Sequence, residues 1–132
     1  MAYHEHHKFL FGDMDDDPAY CLGVYWGDGY VYLKDGAYKV CLATKDEDFA
    51  DEFRKRISRV LNCPVNKIIN PTLNRKTGQA LIYRISVGSN SFAKWLKEVT
   101  KSKTVIPFNL IEGKERSFLQ AIMDSEGSII KL

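Results

Sequence analysis

Residues 21–29 read Cys-Leu-Gly-Val-Tyr-Trp-Gly-Asp-Gly, and residues 119–127 read Leu-Gln-Ala-Ile-Met-Asp-Ser-Glu-Gly. Both segments place small residues four apart (Gly23 and Gly27; Ala121 and Ser125), with apolar residues between them and a carboxylate followed by glycine at the end. On a helix, positions i and i+4 share one face, and small residues there let two backbones approach closely. Packed along those faces, the two helices bring Asp28 and Glu126 side by side at the same end. A carboxylate in a last helical turn faces the negative pole of the helix dipole. Two of them together repel and raise a pKa unless a cation sits between them. Hard oxygen ligands of this kind suit Mg²⁺ or another divalent cation that keeps several waters and bridges phosphate oxygens. Either segment alone reads better as an ordinary helix end with an acid before a C-cap glycine; the matched pair turns the balance to the metal reading.

Outward from the first segment, Asp17-Pro18 predicts a helix start, with Asp as N-cap, Pro at N1 and the acidic run Asp13–Asp17 favoured by the dipole. Beyond Gly29, residues 30–44 read as two strands around an Asp35-Gly36 turn. Asp46 to Asn62 is amphipathic, with Phe49, Phe53, Ile57, Val60 and Leu61 at helical spacing and a stop at Asn62 and Pro64. A second hairpin runs from Lys67 to Val87, with its turn within Asn74–Gln79. Ser89 or Ser91 then caps a helix whose apolar face is Phe92, Trp95, Leu96 and Val99. An irregular connection from Lys101 to Gly113 leads to a last helix over Glu115–Glu126. Strand pairs packed on segregated helices indicate an α+β domain with an antiparallel sheet.

The length, 132 residues, fits one domain with a real core, and 45% hydrophobic with 27% charged residues argues against disorder. No stretch reaches the roughly 18 apolar residues of a membrane span, so no membrane partner is expected. Cys21, Cys41 and Cys63 are an odd count without CxxC spacing, which argues against a disulfide framework or a zinc site. A reducing compartment, cytoplasmic or organellar, follows as the expectation. The net charge of +2 does not by itself mark a polyanion binder, so that case rests on where the charges sit. His4, His6 and His7 fall in a stretch, residues 1–17, read as a flexible tail rather than a metal site.

The paired segments resemble the LAGLIDADG motifs of homing endonucleases. The likeness extends beyond the nonapeptides: a helix, two strands, a helix, two strands and a helix separate Asp28 from Glu126, and the stretch from Ile106 to Ile129 looks like the family's lead-in to its second motif. It covers about residues 18–132. Trp26 stands where the family usually has Asp, and Gln120 with Ala121 where it has Ala-Gly; neither touches the acid position. The resemblance implies an αββαββα domain over 18–113 with a four-stranded saddle sheet, followed over 114–132 by the second motif helix. It implies that Asp28 and Glu126, with the backbone carbonyls of Gly27 and Ser125 beside them, bind the divalent metal. It further implies a basic residue near that metal, for which Lys103 is the best positional match and Lys101 the second.

In this family the concave sheet face lies along the major groove of double-stranded DNA. Period-two alternation assigns that face here. Val31 and Leu33 point to the core, leaving Tyr30, Tyr32 and Lys34 outward. Leu81, Tyr83, Ile85 and Val87 form an apolar set, leaving Ala80, Ile82, Arg84 and Ser86 outward. Lys39 joins them if Val40 and Leu42 are buried. Asn70, Thr72 and Asn74 are candidate base readers, and Arg75 and Lys76 in the turn suit phosphate.

The second motif of a two-motif enzyme opens a second sheet-bearing domain, whereas the sequence ends at Leu132. The chain is thus the N-terminal part of a longer enzyme, or one of two associating copies, or a remnant that only binds. Ile129, Ile130 and Leu132 suggest association through the second motif helix or a frayed end. The expected activity is a Mg²⁺-dependent, site-specific double-strand DNA endonuclease or a portion of one, of intron, intein or free-standing origin. A non-catalytic DNA-binding module or transcription regulator is the alternative.

Overall fold

The computed structural model describes residues 15–74 and 78–126; within these, 72–74, 78 and 79 are described by their backbone. The order is α1 (Asp16–Gly27), β1 (Tyr30–Lys34), β2 (Ala37–Thr44), α2 (Glu47–Leu61), β3 (Lys67–Asn74), β4 (Gly78–Gly88), α3 (Asn90–Val99) and α4 (Glu115–Ser125). The strands form one antiparallel sheet in the order β1-β2-β4-β3, so the architecture is the expected α+β arrangement with a four-stranded sheet. Local chemistry sets the boundaries. Asp35 and Gly36 both take positive φ, 53° and 78°, which a two-residue hairpin turn with the right twist demands. The Asp46 side chain accepts from the Phe49 amide to start α2, and Asn62 ends it in the left-handed conformation at φ 52°. Of the two candidate serines, Ser89 caps α3 by accepting from the Phe92 amide at 3.2 Å.

Helix α1 begins at Asp16, two residues earlier than the Asp17-Pro18 reading placed it, with Asp15 at the N-cap and no side-chain cap hydrogen bond. Asp17 is occupied elsewhere: it takes Arg56 Nη1 at 3.2 Å and lies 3.6 Å from Arg59 Nε, tying α1 to α2.

All four helices take part in one core, in which Tyr20 and Leu22 of α1, Phe53 and Ile57 of α2, Leu42 and Ile85 of the sheet, Phe92 of α3 and Phe118 of α4 are each 0–1% exposed. The register sorts the strands into two faces, because directly paired residues share a side. Val31, Val40, Leu42, Ile85 and Val87 fall on the helix-covered side, as expected. Leu33 and Leu81 have the same parity, yet they are 58% and 46% exposed, which corrects their assignment to the core. Leu33 pairs with Tyr38 next to the Asp35-Gly36 turn, and Leu81 pairs with Pro71 toward the tip of the other hairpin. Alternation names the side of the sheet; it does not say how far the helices reach along it.

No helix among the described residues is long and apolar enough to cross a membrane. Cys21, Cys41 and Cys63 are free thiols. The expectations placed on His4, His6, His7, Arg75, Lys76, Ile129, Ile130 and Leu132 lie outside the described residues.

Candidate metal centre and nucleic-acid interface

The small residues pack α1 against α4 as their spacing anticipates. A Cβ built on Gly23 would collide with the Phe118 carbonyl oxygen and stand 2.7 Å from the Ala121 Cβ. One built on Gly27 would collide with Ser125 Oγ, with the Ser125 Cβ at 3.2 Å. The two helices therefore touch backbone to side-chain root along Gly23, Gly27, Ala121 and Ser125, and their C-caps are Asp28 and Glu126. Gly29 is needed for a different reason: a Cβ there would lie 2.9 Å from the Tyr25 Cα and 3.1 Å from the Val24 carbonyl oxygen. The chain can thus fold back under its own helix directly after the acid.

Partial burial pushes the Asp28 carboxyl above its ordinary value; the Lys103 ammonium opposes that rise, and the Glu126 carboxylate adds to it. Asp28 therefore lies within electrostatic reach of both Glu126 and Lys103. Lys103, rather than Lys101, is the one that reaches. Its Nζ donates to the Gly29 carbonyl at 2.6 Å, at the negative end of α1, and lies 4.9 Å from the centre of the Tyr25 ring. Burial lowers the Lys103 pKa and Asp28 resists that fall. The backbone that delivers it is unusual: Lys101, Ser102 and Lys103 hold φ of 47°, 56° and 69°, three successive left-handed residues without a glycine. Thr100, fully buried, anchors them. Its Oγ1 donates to the Leu96 carbonyl at 2.7 Å and accepts from the Lys103 amide at 3.1 Å.

Two residues that sequence reasoning passed over hold the end of α4. The Tyr20 hydroxyl donates to Asp124 Oδ2 at 2.6 Å, and Gln120 Nε2 donates to Oδ1 at 2.7 Å. Burial, and then Asp124, push the Tyr20 pKa up. The Arg56 guanidinium lies 4.7 Å from the centre of the Tyr20 ring and its Nε donates to Glu52 at 2.6 Å, which places α2 in the same network. Gln120, a departure from the motif pattern, thus has a partner of its own. The signal available in the sequence was Asp124 itself, an acid at the motif's earlier Asp position.

On the sheet, every strand residue proposed to face outward has the same parity. Tyr30, Tyr32, Lys34 and Lys39 share the open side with Ser86, Arg84 and Ile82, and with Asn70 through its pairing to Ile82. Thr72 and Asn74 occupy register positions on that side opposite Ala80 and Gly78. Tyr30, Tyr32, Lys34, Asn70, Arg84 and Ser86 are exposed, while Lys39 and Ile82 are half-buried. The Tyr30 and Tyr32 rings stack at 6.2 Å. No strand position of this parity carries a carboxylate, and Lys34, Lys39 and Arg84 make no ion pair among the described residues. The helix-covered side is the reverse: Lys67 there is held by Glu47 at 2.6 Å and Asp51 at 2.8 Å. An open cleft of about 880 Å³ joins the two parts of the site, running from Asp28 and Ser125 across Ala43 to Ile82 and Arg84.

Among the described residues no group of three or more His, Cys, Asp or Glu could enclose a metal ion. The donors present are two carboxylates at adjoining helix ends, flanked by the Gly27 and Ser125 carbonyls. Such a set fits a Mg²⁺-like ion, which takes few protein oxygens and fills the rest of its octahedron with water and phosphate; it does not fit zinc.

No protein-family model matches the chain. Two relatives come from Methanocaldococcus jannaschii. The uncharacterized protein MJ0314 is 30% identical over 115 residues, covering 85% of this chain and 41% of its own length. The uncharacterized protein MJ0398 is 26% identical over 127 residues, covering 92% and 43%. The chain therefore spans less than half the length of these relatives. Among solved structures, the homing endonuclease I-WcaI bound to its DNA recognition sequence superposes with a TM-score of 0.56 at 15% identity, covering 86% of this chain and 52% of that one. Mesophilic variants of the homing endonuclease I-DmoI give 0.51 at 18% identity, covering 83% and 60%. I-DmoI in complex with DNA and Mn gives 0.50 at 17% identity, covering 83% and 61%. At these identities the likeness concerns the backbone: the chain has the fold of the homing endonucleases.

Proposed function

We propose that this chain is the acid-bearing, DNA-binding portion of a site-specific double-stranded DNA endonuclease that hydrolyses phosphodiester bonds with a divalent cation, Mg²⁺ in the cell. The observation that supports the reading is the close packing of α1 on α4, which carries Asp28 within electrostatic reach of Glu126 and Lys103, beside a cleft that leads onto strand positions bearing no carboxylate. The fold of I-DmoI and I-WcaI, the latter bound to its recognition sequence and the former to DNA and Mn, supports the same reading.

Asp28 and Glu126, with the neighbouring Gly27 and Ser125 carbonyls, would hold the cation. When bound, that ion supplies the positive charge that acidifies an attacking water and stabilises the leaving oxygen. The rest falls to the chain. Lys103 holds a proton at Nζ beside the acids, and partial burial loosens that proton for transfer to a leaving oxygen. Lys34 and Lys39 attract the phosphate backbone, Arg84 reaches guanine or phosphate, and Tyr30, Tyr32, Asn70, Thr72, Asn74, Ile82 and Ser86 meet the base edges in the major groove. Arg75 and Lys76 serve phosphate at the hairpin tip. Leu119 and Met123, 54% and 46% exposed on α4, are the surface for association with a second copy or with further polypeptide of a longer protein.

A second reading, a DNA-binding module that does not cut, draws on the single sheet of the described residues. Plasmid libraries carrying randomised target cassettes separate the two. With Mg²⁺ a fraction is linearised, and Asp28→Asn abolishes cutting while leaving binding intact. Cutting by Asp28→Asn removes the proposed metal role; binding without cutting under every divalent ion selects the module.

A further inference from the structure

We propose that the row Ala43–Arg84–Ile68, with Ile82 two positions along β4, selects a guanine accompanied by thymine 5-methyl groups, and is the main sequence-determining patch of the domain. This deepens the DNA reading above and rests on it. Arg84 pairs with Ala43 on one side and Ile68 on the other, and Ile82 pairs with Asn70. Cross-strand neighbours stand about 5 Å apart, so the exposed guanidinium rises between two side chains with no hydrogen-bonding capacity. Arg84 has no ion pair among the described residues, although Asp28, Asp46, Asp48 and Asp124 line the same cleft.

Ile68 is 56% exposed, while Ile82 lines the cleft that also contains Asp28. Beside an arginine without an ion pair, on strand positions that carry Lys34 and Lys39 and no carboxylate, such branched apolar side chains need a cover that is apolar locally and anionic overall. The major groove supplies it: the thymine methyl is its projecting apolar group, and guanine O6 and N7 form the acceptor pair that arginine grips with two hydrogen bonds. Spacing agrees. Two positions along a strand cover about 6.7 Å, close to two base-pair steps of about 3.4 Å each. The bound sequence then carries a guanine with a thymine two steps away, read by Ile82, and another thymine close by, read by Ile68.

Selection of bound sequences from a randomised duplex library by the 132-residue chain should enrich that guanine and those thymines. Deoxyuridine at either enriched thymine should weaken binding about fourfold, the worth of one buried methyl group. Ile82→Ala and Ile68→Ala should each lose sensitivity to one of the two methyl groups, and Arg84→Ala should bind guanine and adenine alike at that step. Ile68 and Arg84 are exposed, so their variants keep the thermal stability of the parent, and half-buried Ile82→Ala is compared at a temperature well below its own unfolding. Enrichment of unrelated bases, or indifference to deoxyuridine, overturns the inference while leaving DNA binding in place. Failure to bind any duplex overturns the DNA reading as well. If Ile68→Ser abolishes self-association and leaves base preference unchanged, the apolar side chains form a protein contact and the inference falls.

Discussion

Replacing Gly23 with alanine tests the packing that brings the acids together, and it does so through the sign of a stability change. In an ordinary solvent-facing helix position Gly→Ala stabilises by roughly 1 kcal/mol, because glycine loses more backbone freedom on folding. At Gly23 the new methyl lands on the Phe118 carbonyl and 2.7 Å from the Ala121 Cβ. Carbon pairs prefer about 3.5–4.0 Å, so α1 and α4 must part by roughly 1 Å. Neither obstacle can rotate away, one being backbone and the other a side-chain root, which puts the overpacking cost near the upper end of about 1–3 kcal/mol. The net is a loss of about 1–2 kcal/mol. For 132 residues at about 2.1 cal/mol/K of unfolding entropy each, that lowers Tm by roughly 4–7 °C. Thermal unfolding followed by circular dichroism reads it directly. Gly27→Ala provides the graded comparison, since the obstacle there is chiefly Ser125 Oγ, which can give up its 2.8 Å bond to the Ile122 carbonyl and turn aside. A rise in Tm for Gly23→Ala, or a larger loss at Gly27 than at Gly23, would refute the close-packed helix pair.

Tyr20→Phe removes the 2.6 Å bond to Asp124 from a fully buried position and should cost about 1.5–3 kcal/mol in denaturant unfolding. An unchanged midpoint would mean that the Tyr20–Asp124–Gln120 clasp contributes nothing to the α1–α4 contact. Asp28→Asn should raise Tm at neutral pH. Partial burial holds the folded-state pKa of Asp28 above the ordinary carboxyl value of 3.8. The wild-type folded state is thus favoured below that value and loses this advantage as pH rises through the folded pKa, a loss that asparagine does not suffer. Scans should show the two proteins converging on acidification below about pH 3.8, and a gap that widens there contradicts the assignment. Lys34→Ala and Arg84→Ala should each weaken duplex binding at moderate salt. For the one that meets phosphate, the slope of log affinity against log salt should fall by about one. Undiminished affinity in both variants would remove the sheet's open side from the interface.

Much of the fold was legible because the sequence marks its boundaries with residues whose chemistry admits few alternatives. Asp35-Gly36 admits one kind of turn, Asn62 supplies a left-handed cap, and Ser89 supplies a cap acceptor. The acid pair was legible for a related reason: small residues four apart imply a close helix contact, and the acids ride on it. Leu33 and Leu81 were misplaced because period-two alternation carries no information about the length of the helices above the sheet. The Tyr20–Asp124 clasp escaped because its partners lie 104 positions apart in the chain. Neither residue is unusual alone, for tyrosine reads as core and aspartate as surface. Choosing Lys103 over Lys101 rested on the family resemblance; neither periodicity nor propensity anticipates three left-handed residues in succession.

Those three residues make the junction after α3 a spacer of fixed length. Each left-handed step costs roughly 1–2 kcal/mol for a residue with a side chain, so the conformation is kept only by what holds its two ends. One of those ends is the buried Thr100 hydroxyl, and the other is the ammonium seated on the Gly29 carbonyl. Adding or deleting a single residue would shift the lysine by about 3.8 Å, farther than a hydrogen bond can stretch. Surface loops ordinarily absorb such changes in length, and this one cannot: a descendant that lengthened it would have to recruit its cation from another part of the chain.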